Sequence, residues 1–145
     1  MKRYRWWILG SLVAVPVLGC CGFFGYCLAV VWPSYNEAKS QYAAAHADQL
    51  VAEATALIDS AKGTGQHDFD VHGPLSPAIA SLHPLRLEIA KAQDLVALHI
   101  QIQAGFNYQG LYVIVDPGKS GAQIKHSKFR SRNLHERIVE YRGGG

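Results

Sequence analysis

Leu85-Arg86-Leu87-Glu88-Ile89-Ala90, followed by Val96-Ala97-Leu98-His99-Ile100-Gln101-Ile102-Gln103, decides the fold of this chain. In both runs apolar residues alternate with polar or small ones, the period of a strand with one face against a core. The short stretch between them suits an antiparallel pair. Leu111–Val115 reads as a third strand, more apolar and so expected to be central or covered on both faces. Asp116-Pro117-Gly118 ends it in a turn, and Ile138–Tyr141 adds a fourth. A small antiparallel sheet of three to four strands is the expectation.

Upstream the period changes from two to 3.6. Ala43, Ala47, Leu50, Ala54, Leu57 and Ala61 recur at spacings of four and three, widened by Val51 and Ile58. Pro33 followed by Ser34-Tyr35-Asn36-Glu37 reads as a capping box, and Lys62-Gly63 as the helix end. An amphipathic helix over 33–62 would therefore pack on the sheet. A short coiled coil fits less well, because the stripe is mostly alanine and covers fewer than three heptads. Residues 63–75 are rich in turn formers, and Ser76-Pro77 opens a short helix, Pro77–Leu82, stopped by Pro84. The fold class is α+β, with residues 63–145 sharing a core with 33–62.

Farther upstream, Ile8–Val31 carries no charge and follows Lys2, Arg3 and Arg5. At ~1.5 Å per residue such a helix would be on the order of 36 Å long, enough for a ~30 Å hydrocarbon core. Residues 1–32 are thus expected to form a basic cytoplasmic flank and an uncleaved transmembrane signal anchor. Trp6, Trp7 and Trp32 would lie at the interfaces. The expected placement is single-pass in the cytoplasmic membrane of a bacterial envelope, N-terminus in and C-terminal domain outside. A cleaved signal peptide normally has a shorter apolar region, of roughly 7–15 residues. Val17-Leu18-Gly19-Cys20 resembles a lipoprotein box, but Cys21–Trp32 continues apolar where a polar tether would follow Cys20. Small residues at four-residue spacing, Gly10 and Ala14, then Cys21, Gly25 and Ala29, would let two such helices approach closely as a homo-oligomer.

The 145 residues leave room for one small domain beyond that segment. All three cysteines, Cys20, Cys21 and Cys27, precede it, so it must hold by packing alone. Net charge is +3, but its distribution is uneven: residues 33–122 are acidic, while 123–145 hold six bases and two acids.

Several constellations bear on function. Lys125-His126-Ser127-Lys128-Phe129-Arg130-Ser131-Arg132 concentrates four bases around a phenylalanine. Lys125, Lys128, Arg130 and Arg132 are accordingly the leading contact residues for a protein partner or an anionic envelope component. The competing reading is a solvated loop joining two strands. Phe106 and Tyr108, on the glycine-bounded connection Gly105–Gly110, come second. His67, Asp70 and His72 offer imidazole and carboxylate ligands within six residues, although H-D-x-D-x-H matches no standard zinc spacing. Gly118-Lys119-Ser120 after a strand ends like a phosphate-binding loop, but Val113 occupies the position where the first glycine belongs. Neither a Gly-x-Ser-x-Gly elbow nor a Cys–His couple outside the apolar segment is present.

The order of apolar helix, amphipathic helix and antiparallel sheet resembles type IV pilin-like proteins. Those carry a cleavage glycine, a phenylalanine and a glutamate early in the apolar helix. Arg5-Trp6-Trp7-Ile8 offers no such site, and no acid lies between Met1 and Trp32, so pilus assembly is not assigned. The expected function is a membrane-anchored extracytoplasmic binding or accessory module. It would be non-catalytic, without cofactor, in contact with the lipid bilayer, and not a nucleic-acid binder. A metal-dependent enzyme using the 67–72 loop and an oligomerising structural subunit are the competing classes.

Overall fold

The computed structural model describes residues 19–92, 95–104, 108–121 and 129–143. The chain forms two compact units, Met1–Ala38 and Lys39–Gly145. In the first, residues 19–26 are helical and a π-helical turn covers Cys27–Val31. The helix α1 (Trp32–Ala45) follows, and the unit boundary falls within it. Ser34 does not cap a new helix. Its hydroxyl donates to the Val30 carbonyl at 2.7 Å, a bond four residues back within a continuing helix.

This bears on the expected anchor. No helix among the described residues is long and apolar enough to cross a membrane. The apolar part of the described helix gives way at once to α1, which carries Glu37 and Lys39. The rest of the uncharged stretch, including Gly10 and Ala14, lies outside the described residues. The transmembrane signal anchor, and the single-pass placement derived from it, are therefore corrected.

The second unit begins within α1 and continues into α2 (Ala47–Ala61). One helix was expected over 33–62; His46 divides it, with φ −114° and ψ 29°. The interruption is slight, because His46 N–H still donates to Tyr42 and Leu50 N–H to the His46 carbonyl. The predicted stripe is the buried one: Ala43, Ala47, Leu50, Val51, Ala54, Ile58 and Ala61 face inward, with Leu57 packed beside them.

Among the described residues six strands form one antiparallel sheet: β1 (Asp68–Phe69), β2 (Arg86–Ala92), β3 (Leu95–Gln103), β4 (Tyr108–Ile114), β5 (Arg130–His135) and β6 (Ile138–Gly143). Their order is β1-β2-β3-β4-β6-β5. The expected three to four strands were β2, β3, β4 and β6. The two additions are edge strands, β1 in the turn-rich loop and β5 in the basic stretch. Neither shows apolar alternation, because ladder pairing rather than burial makes them strands.

Register fixes two faces. Leu87, Ile100, Leu111 and Glu140 are successive cross-strand partners on the helix side, as are Ile89, Leu98, Val113 and Ile138. This face joins α2, Ala78, Ile79 and Leu82 in the main core. Opposite, Leu95, Ala97, Ile114 and Val139 form a smaller cluster with Tyr112. Gly121 fits against Val139 and Ile114 there, and a side chain at that position would collide with them. Apolar clusters on both faces explain the unbroken run in β4.

The short helix α3 (Pro77–Ser81) is capped from a distance. Ser76 makes no capping bond, and the carboxylate of Glu53 on α2 accepts from Ala78 N–H at 3.0 Å and Ile79 N–H at 3.1 Å. Partial burial pushes the Glu53 carboxyl up, but bonds from Ser76, Gln49 and these two amides outweigh it and hold it below the usual 4.5. Glu53→Ala should cost about 1–2 kcal/mol in urea unfolding at neutral pH. Because the folded carboxyl titrates lower than the unfolded one, the difference should be full above pH 4.5 and shrink as pH falls below it.

Candidate functional site

At the β5–β6 margin the sheet carries a charge on its core side. Glu140 follows Ile138 by two residues, so alternation aims it at the helix face, and its side chain is 1 % exposed. A carboxylate so buried must be satisfied by donors. Ser40 Oγ, from the α1 segment within this unit, donates to Oε1 at 2.6 Å, as does Gln109 Nε2 from β4 at 2.6 Å. Arg142 Nε donates to Oε1 at 2.8 Å, and Arg132 reaches Oε2 through Nε at 3.0 Å and a terminal nitrogen at 2.9 Å. Arg142 also donates to Ser40 Oγ at 3.2 Å.

Glu140 holds both guanidiniums, and both stay partly exposed: the Arg132 side chain is 50 % exposed and that of Arg142 41 %. Arg130 pairs with Arg142 across the ladder and is exposed. Three arginines thus share one face of two adjacent strands, with a single buried carboxylate beneath them among the described residues of that face. The guanidiniums concentrate positive charge on this margin, and the bonds to Glu140 restrict the rotamers of Arg132 and Arg142.

The opposite face holds a second polar group. His99 Nδ1 lies 2.6 Å from Glu88 Oε1, and His99 Nε2 bonds the Tyr141 hydroxyl. With Glu88 ionised, Nδ1–H donates to the carboxylate and Nε2 accepts from Tyr141 O–H. Arg86 braces Glu88 at 2.9 Å and Asp68 at 3.0 Å, linking the pair to β1. Tyr112 stacks on His99 at 4.9 Å, while Phe129 and Tyr108 pack against Tyr141. Burial, then the neighbouring Tyr112, Tyr108 and Glu88, push the Tyr141 phenol far up; burial and Glu88 raise Tyr112. Tyr141 is 2 % exposed. Its proton is held for His99 and its oxygen is not presented to solvent, so this relay supports packing rather than nucleophilic chemistry.

The sequence-predicted residues separate. Arg130 and Arg132 lie on the helix face of β5, whereas Tyr108 begins β4 in the aromatic cluster on the other face. Lys125, Lys128 and Phe106 lie outside the described residues. His67, Asp70 and His72 are exposed, and β1 draws the chain between them into a ladder with β2. Asp70 instead accepts His72 N–H at 2.9 Å in a turn. Among the described residues no group of three or more His, Cys, Asp or Glu side chains could hold a metal ion. Cys21 and Gly25 sit on the helical residues 19–26, and Ala29 is in the π-helical turn. Gly118 and Lys119 belong to a turn in which Lys119 N–H donates to the Asp116 carbonyl, with Gly118 at φ 72° and Asp116 Oδ2 accepting Val96 N–H at 2.8 Å.

Sequence reasoning missed Ser40, Gln109, Glu140 and Arg142, and the Glu88–His99–Tyr141 chain. One signal was available: Glu140 is the acid at a core-facing position of Ile138-Val139-Glu140-Tyr141. Nothing in the sequence points to Ser40, whose contact spans a hundred residues.

No protein-family model matches this chain, and no curated protein and no solved structure shows significant similarity to it.

The Tyr141 ring lies directly over Gly110, leaving no room for a Cβ. Gly110→Ala should therefore displace the ring from His99 and cost about 1–3 kcal/mol. In a urea titration the midpoint should fall, and the histidine ring proton signals of His99 should shift. An unchanged midpoint would mean the ring is not seated there.

Proposed function

We propose that this chain is a non-catalytic binding module that engages an acidic partner through the β5–β6 margin. The observation that carries the reading is the clamp on Glu140: one buried carboxylate fixes two half-exposed guanidiniums, and Arg130 stands exposed beside them. Arginines whose rotamers are already set lose little freedom on binding, which makes them good contact residues. The surplus of positive charge also favours rapid encounter with an acidic surface. Residues 123–145 carry six bases to two acids, and Lys125 and Lys128 precede β5 in sequence. The inaccessible Tyr141 hydroxyl and the dispersed His67, Asp70 and His72 favour binding over catalysis.

Poly-L-glutamate serves as the probe. Arg130→Glu removes a charge that Glu140 does not hold, so the fold should be untouched. At low salt the variant should bind about tenfold more weakly, and the difference should fade as rising ionic strength shortens the Debye length below ~8 Å. Equal affinities at low salt would refute the reading.

A further inference from the structure

The ladder geometry of β4, β6 and β5 fixes which backbone groups face outward. Ile114 N–H donates to the Arg137 carbonyl at 2.9 Å, which makes that pair a hydrogen-bonded one in the β4–β6 ladder. Bonded and non-bonded pairs alternate along an antiparallel ladder. Val139, Tyr141 and Gly143 therefore turn their backbone groups toward β4, and Ile138, Glu140 and Arg142 turn theirs toward β5. The partners of Glu140 and Arg142 are Arg132 and Arg130, so these two arginines spend their amides on β6. Ser131 between them then directs its N–H and carbonyl away from the sheet. β5 is the edge of the sheet, and Arg130, Ser131, Arg132 and Asn133 are all exposed.

We infer that the partner supplies an extended acidic segment that adds to β5 as a seventh strand, pairing with Ser131 and setting carboxylates beside Arg130 and Arg132. The inference rests on the proposed function above and specifies the partner's shape. Side chains two apart on an added strand fall on one face, so the fitting pattern is acid–any–acid. Residues between the acids would meet Ser131 and Asn133, which are small and uncharged. A second copy of this chain fits poorly. Antiparallel pairing of two β5 strands about Ser131 sets Arg130 against Arg132 of the other copy, and like charges directly opposite repel. The other edge, β1, has two residues and is too short to template a strand. The irregularity between Asn133 and His135 ends regular pairing, so the docked segment spans only Arg130–Asn133.

The test uses the full chain and a soluble peptide of alternating glutamate and threonine. Polyacrylate, which has carboxylates but no peptide backbone, is the control. Ser131→Pro removes the outward amide while leaving the bonds to β6 and all three arginines, a change an edge strand accepts. The variant should bind the peptide on the order of tenfold more weakly and polyacrylate equally well. A wild-type protein titrated with the same peptide N-methylated at alternate amides should show the same loss, which keeps the test independent of the variant's folding. Equal binding of methylated and unmethylated peptide by the wild type would overturn strand addition and leave the charge reading standing. If the wild type binds neither peptide nor polyacrylate, the charge reading fails and strand addition fails with it.

Discussion

The β5–β6 end of this domain depends on how the Glu140 carboxylate is satisfied. Burying an ion costs several kcal/mol unless close donors replace water. Here they come from four elements: Ser40 from α1, Gln109 from β4, Arg132 from β5 and Arg142 from β6. One acid thus ties a helix to three strands near the edge of the sheet, where apolar burial is thinnest. The same bonds set two partly exposed arginine side chains in fixed positions. In the proposed reading, structural and binding roles share one group of atoms.

The two faces of the sheet divide the labour. On the helix side, α2 and α3 bury Leu87, Leu98, Ile100, Leu111, Val113 and Ile138, and the core gives way to charge only at the margin. On the other side, His99 is enclosed by Glu88, Tyr112 and Tyr141, with Phe129 and Tyr108 beyond. Among the described residues an aromatic layer of this kind covers part of that face. It also explains why Phe129 sits between basic residues in sequence: it packs on Tyr108 and Tyr141 while Arg130 and Arg132 turn to the opposite face.

What the sequence revealed follows from periodicity. The strands with apolar alternation, β2, β3 and β6, and the stripe on α2 were legible because burial imposes a period on composition. β1 and β5 were not, since a charged edge strand such as Arg130–His135 looks like a loop when its pairing partner is unknown. The division at His46 was equally silent, as a histidine one residue into a turn leaves the stripe intact. The expected membrane anchor failed for a different reason. Absence of charge over Ile8–Val31 is necessary for a span, but the helix among the described residues runs on into the polar α1. Of the proposed contact residues, Arg130 and Arg132 stand out in the sequence through charge density. The acid that orients Arg132, and the Arg142 it holds beside them, needed three-dimensional pairing to be seen.

Arginine Nε–H resonances probe the clamp and the docking surface together. In the free protein Arg132 and Arg142 should give Nε–H signals protected from exchange, and Arg130 should exchange like an arginine in water. Adding the alternating glutamate–threonine peptide should then shift Arg130 and Arg132 most. Fast, averaged signals for all three arginines, unchanged by peptide, would contradict both the clamp on Glu140 and the surface built upon it.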